Sequence, residues 1–123
     1  MTPVVAENLA AYLAEQFPEA EADIDRIRSE HPARPALNAY VYMSEVVWSD
    51  GFEPAIAADD EQTIRHCFRV TEDLLASDDQ NIRAAASIRV TEHLSVPKLR
   101  RVVARHGGVN LRRDLTRVTG RHY

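Results

Sequence analysis

The sequence holds a single cysteine, four glycines and no apolar run of membrane-spanning length. Each scarcity excludes something. Cys67 alone cannot close an internal disulfide, which fits a reducing compartment. Four glycines supply too few tight-turn positions for an all-β design. A membrane helix needs roughly 18 or more consecutive apolar residues. The opening MTPVVAENLAAYLAEQF offers neither a basic leader nor an uninterrupted hydrophobic block, so the expected location is the cytoplasm. Glycine-rich phosphate loops, H-E-x-x-H and G-x-S-x-G are also missing. The histidines at 31, 66, 93, 106 and 122 show no paired ligand spacing on one helix face, so no metal or cofactor is expected. His66 and Cys67 are neighbours, but adjacent helical side chains diverge by about 100° and cannot serve as base and nucleophile for each other.

What is present favours helices. Hydrophobic residues at 45% and charged residues at 28% match a soluble globular chain. A chain of this length can remove roughly two-thirds of its unfolded surface from water in one core. The expected fold is all-α, a compact single-domain bundle or irregular array of about six helices. Apolar positions at helical spacing place helices near residues 4–16, 19–29, 36–49, 60–76, 80–94, 97–106 and 111–118, with a short helical piece near 53–58. Pro18, the PARP linker at 32–35, Gly51 and Gly107-Gly108 separate them. Asp59-Asp60 and Asp78-Asp79 stand where helix N-termini need side-chain acceptors, and Asn110 could cap the last helix.

RVTEDLL at 69–75 returns as RVTEHLS at 89–95. An interval of one helix plus one turn places the copies in two successive helices of an antiparallel hairpin and is too short for a helical solenoid. Within each copy Arg and Glu stand three apart, so Arg69 can meet Glu72 and Arg89 can meet Glu92 on a helix surface. The same spacing leaves open a functional role for Glu72 and Glu92 as a matched pair.

Charge is divided sharply along the chain. Residues 1–97 carry seven arginines against 18 carboxylates, net −11, while residues 98–123 carry eight cations against one, net +7. The basic group comprises Lys98, Arg100, Arg101, Arg105, Arg112, Arg113, Arg117 and Arg121, opposed only by Asp114. These side chains could pair with the acidic body 1–97, with an acidic surface on another protein, or with nucleic acid. His106, His122 and Tyr123 are the ring side chains of residues 98–123, a poor supply for base stacking.

Arg101 and His106 share an R-x4-H spacing that resembles ribonucleases of the HEPN class, which are small all-helical domains. That resemblance implies His106 as the acid/base and Arg101 as the stabiliser of phosphate charge. Arg26/His31 and Arg117/His122 repeat the spacing in this arginine-rich chain.

The stretch CFRVTEDLLASDDQNIRAAASIRVTEHL, residues 67–94, resembles an uncharacterised bacterial family of small all-helical domains through Glu72, Leu74, Asp78, Asp79, Asn81, Glu92 and Leu94. Some similar domains sit beside secreted-toxin systems as candidate immunity proteins. The family carries no established activity, and the reading favoured from the residues is a non-catalytic, protein-binding module, with an immunity or antitoxin-like inhibitor as its specific form. Charge would speed encounter, and Tyr42, Val46 and Phe52 form a candidate apolar patch beside Glu72 and Glu92, although these apolar positions equally suit a core. A nucleic-acid-binding module and the RNA-cleaving enzyme are the alternatives. No membrane partner is expected, and the sequence sets no oligomeric state.

Overall fold

The computed structural model describes residues 4–30 and 34–123, so His31, Pro32 and the start of the expected linker lie outside the described residues. Seven continuous helical stretches follow one another, with no strand among the described residues. Helix α1 covers 6–16, α2 18–30, α3 35–57, α4 Glu61–Leu75, α5 80–94, α6 97–106 and α7 Val109–Thr119. The all-α expectation holds.

One boundary differs. Gly51 was expected to end a helix, yet α3 runs straight through it, widening to π-helical winding over Met43–Phe52. Gly51 is buried, and a Cβ there would lie 3.1 Å from Phe17 Cε1 and 3.2 Å from Cys67 Sγ. The residue admits two neighbours rather than breaking the helix. Helix α5 widens in the same way over Ser87–Thr91, and the two π segments pack against each other. Trp48 stacks on His93 with centroids 4.5 Å apart, and the Arg89 guanidinium sits over the Tyr40 ring along the same seam.

Local signals explain the central hairpin. Asp60 caps α4 by accepting from Thr63 N, and Asp79 caps α5 by accepting from Asn81 N. Asp59 takes φ 53°, a left-handed turn conformation that aspartate tolerates better than most residues. Ile64, Cys67, Phe68, Thr71 and Leu74 follow steps of three and four and bury one face of α4. Ala85 and Ala86 are fully buried on α5, where small side chains let the neighbouring helices approach. Phe52 and Phe68 meet edge to face at 5.1 Å within a single continuous cluster of buried side chains.

The N-terminal segment is tied to the α4–α5 turn. Ala6 N donates to Asp79 Oδ2 at 3.0 Å, Ser77 Oγ donates to Val4 O, and the Tyr12 hydroxyl donates to Asp73.

The RVTE copies occupy equivalent places in α4 and α5, but only their apolar parts agree. Val70/Val90, Thr71/Thr91 and Leu74/Leu94 are all buried. The expected ion pairs Arg69/Glu72 and Arg89/Glu92 do not form. Arg69 donates to His66 Nδ1 instead, Arg89 lies over Tyr40, and Glu72 reaches away to another helix. Rings and backbone amides offered these charges better-placed partners than an exposed helical pair, which contributes only about 0.2–0.5 kcal/mol.

Candidate functional site

Two short basic helices build the candidate site. Pro97 opens α6 at its first turn, where a missing N–H is harmless. Gly107 and Gly108 end α6 and turn the chain into α7. The cap of α7 is not Asn110, as expected, because Asn110 lies inside the first turn. The acceptor is Glu72, whose carboxylate receives Asn110 N and, at 3.1 Å, Leu111 N. A carboxylate at a helix N-terminus meets unpaired N–H groups and the positive end of the helix dipole. Gly120 closes α7 at φ 71°, the left-handed conformation common just beyond helix ends.

The eight cations divide into two groups. Arg112 donates to Gly107 O and Ala104 O, satisfying carbonyls at the end of α6. Arg100 donates to His122 O and lies 4.7 Å from the centre of the Tyr123 ring. Arg105 pairs with Glu61 at 3.4 Å, and Arg117 pairs with its own helix's Asp114 at 2.8 Å. Among the described residues, Lys98, Arg101, Arg113 and Arg121 are exposed and form no ion pair. Among the described residues, Glu61 is the one carboxylate of the acidic body that forms an ion pair with an arginine or lysine of this segment.

Two recesses border this surface. The first, of about 380 Å³, brings together Arg101, Arg105 and His106 from α6 with Glu61 and Asp59. The R-x4-H residues therefore share one site. His106 is nonetheless largely enclosed, its side chain 9% exposed, with Nε2 3.1 Å from Glu61 Oε1 and its ring against Phe68. The second recess, of about 410 Å³, lies between α5 and α7 and is lined by Arg83, Arg113 and Arg117. Arg83 was not singled out by the sequence because it belongs to the acidic part of the chain. Its placement on the stripe Gln80, Arg83, Ala84, Ser87, facing Asn110, Arg113, Asp114, Arg117, follows helical spacing on both walls.

The expected apolar patch is absent from the surface. Tyr42, Val46 and Phe52 are buried at 4%, 0% and 0% exposure, held there by the packing of α3 against α2, α4 and α5. Glu72 is committed to capping α7, while Glu92 is exposed on α5. The two glutamates therefore stand in different surroundings. Among the described residues, the large apolar side chains most exposed to solvent are Leu37, Ile88, Val96 and Val109, the last 64% exposed at the start of α7.

Elsewhere, burial raises the Cys67 thiol to about 12 and keeps it protonated. Burial and the neighbouring Asp23 carboxyl lift Asp50 to about 6, and Asp50 Oδ2 is enclosed without a hydrogen-bond partner. No group of three or more His, Cys, Asp or Glu among the described residues is placed to hold a metal ion. No helix is long and apolar enough to cross a membrane among these residues.

Residues 10–117 match the model of a family described as Domain of unknown function (DUF7674). The chain belongs to this family. DUF7674 membership agrees with the resemblance to an uncharacterised domain family seen over 67–94, and it extends that likeness to the basic helices, which the shorter stretch left out. No curated protein and no solved structure matches the chain.

Proposed function

We propose that this DUF7674 domain is a non-catalytic binding module that docks an acidic surface of a partner protein onto the positive face of α6 and α7. An immunity or antitoxin-like inhibitor of a toxin is the specific form we favour. The observation that carries the reading is the set Lys98, Arg101, Arg113 and Arg121, exposed and without ion pairs although the same chain holds 18 carboxylates in residues 1–97. Unpaired cations borne by one segment of the chain, residues 98–121, steer an oppositely charged partner, and the arginines can form two-point bonds to carboxylates. Val109, exposed beside them, supplies an apolar contact that Tyr42, Val46 and Phe52 cannot.

Nucleic acid is the weaker reading, because the Tyr123 ring is covered by Arg100 and so is poorly available to stack on a base. The test is affinity capture from the native host with nuclease present, comparing wild type with an Arg101→Glu/Arg113→Glu/Arg121→Glu variant. The proposal expects an acidic protein retained by the wild type and released by charge reversal or high salt. Capture that disappears with nuclease, or that ignores charge reversal, overturns it.

A further inference from the structure

We infer that the groove between α5 and α7 is a binding site for a phosphate monoester dianion. Three arginines line it, contributed by helices about thirty residues apart in the chain: Arg83 on one wall, Arg113 and Arg117 on the other. Two of them are already held in place. Arg83 Nη1 donates to Ser77 O at 2.7 Å, and Arg117 donates through Nε and Nη2 to Asp114 Oδ1 and through Nη2 to Ser87 Oγ at 2.8 Å. Each retains further N–H donors, and Arg113 has all of its own uncommitted. A guanidinium fixed before the ligand arrives loses less side-chain freedom on binding.

The charge count selects the ligand class. Three cations and Asp114 leave a net of +2 around the groove, and the Asp114 side chain is only 13% exposed because it serves to position Arg117. A phosphate monoester carries nearly two negative charges and three acceptor oxygens near neutral pH, which suits arginine forks. Gln80 and Asn110 add neutral hydrogen-bonding groups at the rim, and about 410 Å³ leaves space for the esterified portion beyond the phosphate. The site shares Arg113 with the protein-partner reading, but Arg83 and Arg117 lie outside the set invoked there, so Arg83→Gln separates the two.

The same chemistry could be presented by a small sugar phosphate or by a phosphorylated side chain. Calorimetric titrations with ribose 5-phosphate, a phosphoserine peptide, and their unphosphorylated counterparts distinguish these sources. Binding of either phosphorylated probe, without binding of its unphosphorylated counterpart, supports the site, and the tighter of the two identifies the source. Arg83→Gln and Arg117→Gln should each weaken that binding at least about tenfold. Arg113→Gln, which removes no internal contact, should do the same with the melting temperature unchanged. Arg101→Gln, on the other recess, should leave it intact. No binding of either probe at millimolar concentration overturns the assignment, as does equal weakening by Arg101→Gln, which would mark diffuse attraction to positive charge.

Discussion

The Glu72 carboxylate fills the space that a side chain at Gly108 would need: a Cβ on Gly108 would lie 2.5 Å from Glu72 Cδ. Gly108 has an extended backbone, φ −84° and ψ −178°, that any residue can adopt, so space rather than conformation demands glycine here. Glu72→Ala should lose the α7 cap and cost about 1–2 kcal/mol in denaturant unfolding. Gly108→Ala should cost a similar amount by expelling the carboxylate. The double variant should then cost clearly less than the two single losses combined, since both remove one interaction. Strict additivity would show that Glu72 and Gly108 act separately.

Asp50 gives stability a dependence on pH. Its folded value, about 6, stands above the ordinary 3.8 because burial and Asp23 disfavour its ionised form. A raised carboxyl binds its proton more tightly in the folded state. The contribution is therefore complete below the ordinary value and is lost as pH rises through about 6. Asp50→Asn removes this titration. The melting temperature of wild type relative to Asp50→Asn should fall between acidic and neutral pH, and a constant difference across that window would refute the assignment.

Cys67 is fully buried and Gly51 lies against it, so the two report on one packed contact. Gly51→Ala should overpack the site, a cost of about 1–3 kcal/mol set against a helix-propensity gain of about 1 kcal/mol, so the change should not raise the urea midpoint. The thiol should resist alkylation at neutral pH in the folded protein and react once denaturant opens it. Rapid modification of the native protein would contradict the enclosed position.

The exposed cations without partners should matter little to stability. Arg101→Ala, Arg113→Ala and Arg121→Ala each remove no ion pair, and surface changes of this kind stay within about 0.5 kcal/mol. Urea midpoints unchanged from wild type are expected, and a large drop in any of the three would expose an internal role for that arginine.

The hairpin of α4 and α5 was readable from the chain because its determinants are local. Asp60 and Asp79 precede the helices they cap, and the apolar steps of α4 mark its buried face. Relationships between distant residues left no comparable trace. The cap of α7 comes from Glu72, 38 positions before Asn110, and nothing within the Gly107–Leu111 segment announces it. Gly51 looked like a stop because a glycine in sequence does not reveal that Phe17 and Cys67 will crowd against it. Charge division identified the basic helices, but it placed Arg83 with the acidic body and hid its position across from Arg113 and Arg117. Ile88 fitted the apolar pattern of α5 yet is 44% exposed, because the helix is uncovered on that side.

The Arg101/His106 recess offers a direct discrimination between clasp and catalyst. His106 joins α6 to the start of α4 through Glu61 and packs its ring against Phe68, contacts that hold two helices together whatever else they do. Glu61→Gln and His106→Ala should each lower stability, the histidine change by more because it also leaves space beside Phe68. Their combined effect should fall short of additivity by about 0.5–1.5 kcal/mol, the net contribution of one hydrogen bond. Labelled single-stranded RNA should remain intact with the wild-type protein. Cleavage that persists through purification and vanishes in His106→Ala at a temperature where the variant stays folded would transfer the recess to an enzyme, and the binding-module proposal would then fail.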